Sequence, residues 1–160
     1  MTVVSSAAMG GLYNQDLVQW SAEQARALRT AARAGSNPPV DWEHVAEEIE
    51  SLGITERRAL SSHIATVVEY LLTLQASPAT EAVRGWKDTI RRARSEIDRL
   101  LADSPSLRRE IIRIIANEVP RMRSLVRDTL QDYGEHPLTD IDALTYTETQ
   151  VLGPWMPERA

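Results

Sequence analysis

Residues 41–50, Asp-Trp-Glu-His-Val-Ala-Glu-Glu-Ile-Glu, place one imidazole and five carboxylates in ten positions. On a helix, His44 and Glu48 stand one turn apart and can touch. That spacing can supply two ligands to a metal ion. A complete site needs a third and a fourth ligand, and only His63 and His136 remain to supply imidazole. A di-metal bundle would repeat Glu-x-x-His, and no copy exists. The stretch therefore reads as the solvated face of a helix, with no metal and no cofactor. No serine lies in a nucleophile elbow, and no glycine-rich phosphate loop is present. No catalytic residue is assigned.

A second set of side chains could bind phosphate or a carboxylate. With each residue turning about 100° on a helix, Arg84, Lys87, Arg91 and Arg94 fall on one flank beside the apolar stripe through Ile90. Phosphate binding uses such a basic stripe. Asp98 shares the flank, Asp88, Glu96 and Asp103 dilute it, and the whole chain carries a net charge of −5. No helix-turn-helix, zinc-finger or aromatic-sheet signature accompanies it. Arg84, Lys87 and Arg91 are therefore a candidate interaction surface, with nucleic acid as the alternative partner. Arg94 lies nearest the core and needs a counter-charge. Glu48, at a similar boundary on its own helix, is the expected structural ion-pair partner. Trp155, in Leu152-Gly153-Pro154-Trp155-Met156-Pro157, either folds back on the helices or joins the interaction surface as an anchor.

These side chains need helices to carry them, and helical spacing of apolar residues recurs along the chain. The first helix has Tyr13, Leu17, Trp20, Gln24, Leu28 and Ala31 on one face. Gly35 and Pro38-Pro39 stop it. In the second, Asp41 is the N-cap, Val40 and Val45 form a hydrophobic staple, and Trp42, Val45, Ile49 and Leu52 make the core face. Gly53 ends it, and Thr55 caps the third. Leu60, Ile64, Val67, Leu71 and Leu74 then repeat up to Ser77-Pro78.

The fourth helix, from about Thr80, carries Val83, Trp86, Ile90, Ala93, Ile97 and Leu100. Ser104 and Pro105 suit N-cap and N1 of the fifth. That helix carries Leu107, Ile111, Ile114 and Ile115 to Pro120, which should kink or split it. Met122, Leu125, Val126, Leu130 and Tyr133 continue the pattern to Gly134. Thr147-x-x-Gln150 predicts a capping box for a short helix ending near Gly153. No run reads as a strand. The expected architecture is all-α: a single-domain antiparallel bundle of five to six helices over residues 12–160, with a short C-terminal helix and tail packed on it. Residues 1–11 read as a flexible tail.

Composition narrows the choices further. With 160 residues the chain can bury a core without disulfides. The sequence has no cysteine, which removes disulfide frameworks, thiolate metal sites and cysteine nucleophiles. No apolar run nears the roughly 20 residues of a membrane span, and the start does not read as a signal peptide, so a cytoplasmic location is expected. Charge is segregated: net −4 over residues 1–80, +4 over 81–130 and −5 over 131–160. Lys87 is the only lysine, and arginine favours planar pairing with carboxylates.

Several spaced motifs resemble one known family. They are Tyr13-x-x-Asp16-x-x-x-Trp20, Glu47-Glu48-Ile49-Glu50-Ser51-Leu52-Gly53, Glu56-Arg57-Arg58, Trp86-x-x-x-Ile90-x-x-x-Arg94 and Asp103-Ser104-Pro105-Ser106-Leu107. From about Leu12 to Pro157 the chain resembles the bacterial family catalogued as domain of unknown function 29. The resemblance implies an all-helical fold and no activity. The chain departs from the family's pattern at Tyr70, Thr73 and Leu74, where the family has histidine, lysine and tryptophan. Leu144-Thr145-Tyr146-Thr147 keeps the family's tyrosine–threonine step without its preceding cysteine and proline.

The functional expectation is an interaction or regulatory module whose partner is a protein, self-association included, with no membrane contact. A nucleic-acid-binding protein using the fourth helix stands second, and an enzyme with a cryptic polar cleft third.

Overall fold

The computed structural model describes residues 6–35 and 41–158, and among them there is helix and no strand. Six α-helices follow in order: α1 Ser6–Gln15, α2 Leu17–Arg33, α3 Trp42–Ala76, α4 Val83–Asp103, α5 Ile111–Asp132 and α6 Glu148–Leu152. Two 3-10 segments, Pro105–Glu110 and Ile141–Ala143, precede α5 and α6. The all-α expectation holds. Its boundaries shift in four places, each for a local reason. Pro38-Pro39 and Val40, expected to stop one helix and staple the next, lie outside the described residues.

The expected first helix is two helices. Asp16 is extended (φ −160°, ψ 94°) and accepts the Gln19 N–H, so it is the N-cap of α2. A cap in mid-pattern resets the helical phase. The face of α2 that is buried is Val18, Ser21 and Ala25, one residue out of register with the expected Leu17–Trp20–Gln24–Leu28 face. α1 begins at Ser6, inside the stretch expected to be a tail, where Ala7 and Ala8 favour helix.

The expected second and third helices are one. α3 passes through Gly53 without a break. Thr55, expected as a cap, instead donates its hydroxyl to the Ser51 carbonyl within the helix. Gly53 is buried, and a Cβ built there would stand 2.6 Å from Ser21 Oγ and 3.6 Å from Val18 Cα. Its role is close approach of α2 to α3, not termination. The Asp41 N-cap does form: its Oδ1 accepts the His44 N–H at 3.3 Å.

α5 continues through Pro120, so the proline does not split it. Pro120 and Ala116, whose carbonyl loses an i+4 donor, are both exposed, and water can serve that carbonyl. Ser104 does not cap the next helix by its side chain. Its carbonyl accepts from Leu107 in a 3-10 turn, and its buried Oγ has no partner among the described residues. Gly134 (φ +67°) closes α5 as expected. Glu135 N–H bonds Leu130 O and Gly134 N–H bonds Gln131 O, the bonding of a Schellman motif. The Thr147–Gln150 capping box is present, and α6 ends at Gly153.

The contacts fall into two compact units. One is Met1–Ala59 with Leu100–Arg108, the other Leu60–Arg99 with Arg109–Ala160. In the first, the Asp16 carboxylate also receives Ser106 N–H at 2.6 Å and Ser106 Oγ at 2.9 Å. Two of the motifs carrying the family resemblance thus meet. Arg29 bridges Glu43 at 2.9 Å and Glu50 at 3.0 Å, and the Tyr13 and Trp20 rings pack edge to face at 4.9 Å.

The second unit holds the longest apolar stripe. Ile64, Val67, Val68, Leu71, Leu72 and Leu74 of α3, Ile90 and Ile97 of α4, and Ile111 of α5 are sealed from solvent. The segment from 135 to 157 is tied down at several points. Leu138 N–H bonds Ala76 O at 2.8 Å, Tyr146 Oη donates to Gln75 at 2.7 Å, and the Arg123 guanidinium donates to Leu144 O. Burial pushes the Tyr146 phenol up, so it stays a neutral donor.

Candidate functional site

The acidic helix start is organised differently from its one-turn spacing. His44 Nδ1 lies 2.5 Å from Asp41 Oδ2, so the imidazole turns to the N-cap and not to Glu48. The bond to Asp41 raises the His44 pKa and lowers that of Asp41. Glu43 and Glu50 serve Arg29. Glu47 and Glu48 are exposed and make no ion pair within 4 Å among the described residues, though the Glu47 charge helps raise the His44 pKa. Among the described residues no three His, Asp or Glu side chains converge as metal ligands.

The apolar side of the same four turns is the main departure. Val45 and Leu52, expected in the core, are 38% and 43% exposed. The buried positions are instead Ala46 and Gly53. Close packing selects small residues at the line of contact and pushes the larger ones to its flank. Val45 and Leu52 are two turns apart on one side of α3, and Glu48 lies between them in height. Exposed leucine and valine with the Glu48 carboxylate alongside make a two-component surface: an apolar ridge and an acidic margin.

Arg94 is the second feature. It is 7% exposed. Nε donates to Val151 O at 2.9 Å, and Nη2 donates to Gln150 O at 2.7 Å and Trp155 O at 2.8 Å. The guanidinium's described partners are three backbone carbonyls. The physical reason is that a five-residue helix leaves its last carbonyls without intrahelical donors. A cation at a helix C-terminus satisfies them and opposes the dipole. Burial lowers the Arg94 pKa, yet a guanidinium stays protonated at neutral pH.

Arg94 also lines an open groove of about 520 Å³, with Arg91, Ser95, Asp98, Leu152 and Met156 among its walls. Arg84 and Arg91 are exposed and Lys87 is half-buried. Arg91 gives Nη1 to Asp88 at 2.7 Å. Trp155 is half-buried, with its ring 6.3 Å from that of Tyr146; it folds back. No sequence signal singled out the groove, because its walls come from segments more than fifty residues apart.

The fold and these surfaces define an all-α protein with helices bound by small-residue contacts, caps and arginine clamps. The chain belongs to the family described as Domain of unknown function DUF29, which matches residues 12–152. It is also similar to the crystal structure of an α-helical protein of unknown function from Rhodospirillum rubrum. That likeness has 25% identity and a TM-score of 0.72, covering 88% of this chain and 89% of the other. No curated protein matches the sequence. No helix among the described residues is long and apolar enough to cross a membrane.

Proposed function

We propose that this chain is a protein-interaction module whose docking face is the first four turns of α3, and that its partner presents an amphipathic helix with basic flanks. The observation that carries this is the exposure of Val45 and Leu52 beside Glu48, an exposed carboxylate with no ion-pair partner among the described residues. An apolar ridge draws the apolar side of a partner helix, the common helix-in-groove mode. The Glu48 carboxylate selects lysine or arginine at its margin and discriminates against acidic helices. Arg84, Lys87 and Arg91 support a nucleic-acid partner less well, because Arg91 is engaged with Asp88 and Asp98 stands on the same flank.

The probe is a labelled leucine–lysine peptide built as an amphipathic helix, titrated with the full chain. Covering the exposed part of Leu52 and Val45 is worth roughly 1–2 kcal/mol together, or about tenfold in Kd. The double variant Val45→Ser with Leu52→Ser should lose that factor with its charge unchanged. A peptide bound equally well by both proteins is held by charge alone, and the docking face would be wrong.

A further inference from the structure

We infer that the groove beside Arg94 receives the free carboxylate of a peptide C-terminus whose last residue is apolar. This goes beyond the α3 docking face and uses none of its residues. The starting point is an unbalanced charge. Arg94 is more than nine-tenths buried, and its described partners are carbonyl dipoles, with no carboxylate at ion-pair distance among the described residues. Its Nη1 has no hydrogen-bond partner among them either. A guanidinium removed from water and paired only with neutral acceptors gains most from an anion, because charge-assisted bonds are roughly twice as strong as neutral ones.

The groove is shaped for more than a bare ion. Arg91 faces it with a guanidinium of which one nitrogen serves Asp88, so its remaining N–H groups can share the carboxylate. Ser95 adds a hydroxyl donor. Asp98 would repel a second anion and instead accepts an N–H, which a peptide has one step back from its carboxylate. Leu152 and Met156 wall the space where the last side chain would lie. Inorganic phosphate has neither the N–H nor the apolar group, and a fatty acid lacks the N–H. A C-terminal residue has all three.

An N-acetylated tetrapeptide ending in leucine, as the free acid and as the C-terminal amide, tests this by calorimetry with the full chain. The acid should bind, and the amide should bind about tenfold more weakly or worse, having lost the charge. Arg94 variants disturb the fold, so Arg91→Ala and Met156→Asp carry the mutational arm. Each lies outside the clamp and should weaken the acid several-fold. Val45→Ser with Leu52→Ser should leave it unchanged, which separates this site from the α3 face. Equal binding of acid and amide, no binding of the acid at millimolar concentration, or displacement of the peptide by an equal concentration of acetate would each overturn the assignment.

Discussion

The guanidinium of Arg94 and the carbonyl of Val151, 57 residues apart, meet at 2.9 Å inside the second unit. With the bonds to Gln150 and Trp155, this contact fastens α6 and the segment after it to α4. Removing the side chain strands three carbonyls, two of them at a helix end. A bond to a charged group contributes about 1.5–3 kcal/mol and such losses are not additive, so Arg94→Ala should cost about 3 kcal/mol or more in urea unfolding. Arg94→Lys keeps the charge but not the planar fork and should cost less. Glu48→Ala, at an exposed position, should change stability by less than about 0.5 kcal/mol. Strong coupling between Glu48 and Arg94 in a double-mutant cycle would contradict the carbonyl clamp.

Two glycines make a matched pair. Gly85 of α4 is exposed and has nothing within 4 Å of a built Cβ, so Gly85→Ala should stabilise by about 0.5–1 kcal/mol through helix propensity. Gly53→Ala gains the same propensity but drives a methyl group against Ser21 Oγ. Overpacking of this kind costs about 1–3 kcal/mol, and the net effect should be a loss. Adding Ser21→Ala should recover part of it. Thermal unfolding of the three proteins decides the order, and a stabilising Gly53→Ala would mean that the two helices do not approach this closely.

Asp16 combines an N-cap with two bonds to Ser106. Its replacement by alanine removes a cap worth about 1 kcal/mol and leaves Ser106 N–H unpaired, for a total of about 3 kcal/mol. Ser106→Ala keeps the backbone bond and loses only the hydroxyl, about 1 kcal/mol. Denaturant unfolding should show this ranking. Equal losses would place the stabilisation in the hydroxyl and not in the cap.

The pair His44–Asp41 sets a pH window at the start of α3. The bond raises the His44 pKa, so its stabilisation is full below the ordinary imidazole range and is lost as pH rises through the raised value. It lowers the Asp41 pKa, so that group's contribution is present above the ordinary carboxylate range and fades as pH falls through the lowered value. The window lies between the two. Following the His44 ring protons by NMR should give a midpoint above that of an unpaired histidine. Asp41→Asn should return it toward the ordinary value, and an unmoved midpoint would remove the contact from solution.

Much of this was legible in the sequence, and the failures share a cause. Stop and cap signals that act between near neighbours in the chain are legible: the Asp41 cap, the Gly134 closure and the Thr147–Gln150 box. The all-α class followed from spacing. Gly53, Val45 and Leu52 are not legible, because periodicity weighted by apolar size points to the largest side chains. Helices that approach closely bury Ser21, Ala25, Ala46 and Gly53 instead. Asp16 was read through because a polar residue in mid-pattern is not distinguished from a solvated one until Ser106, ninety residues on, reaches it. Helical spacing places Arg94 at the edge of the packing, but spacing cannot reveal that carbonyls receive its guanidinium.

The most direct test of the docking face is residue-level mapping. Backbone amide NMR of the full chain, titrated with the leucine–lysine helix, should show its largest shift changes from Val45 to Leu52, and these should vanish in the Val45→Ser, Leu52→Ser protein. Changes centred instead on α4 around Arg84 and Lys87, or spread evenly over the acidic surface, would contradict the assignment of α3 as the surface that meets the partner.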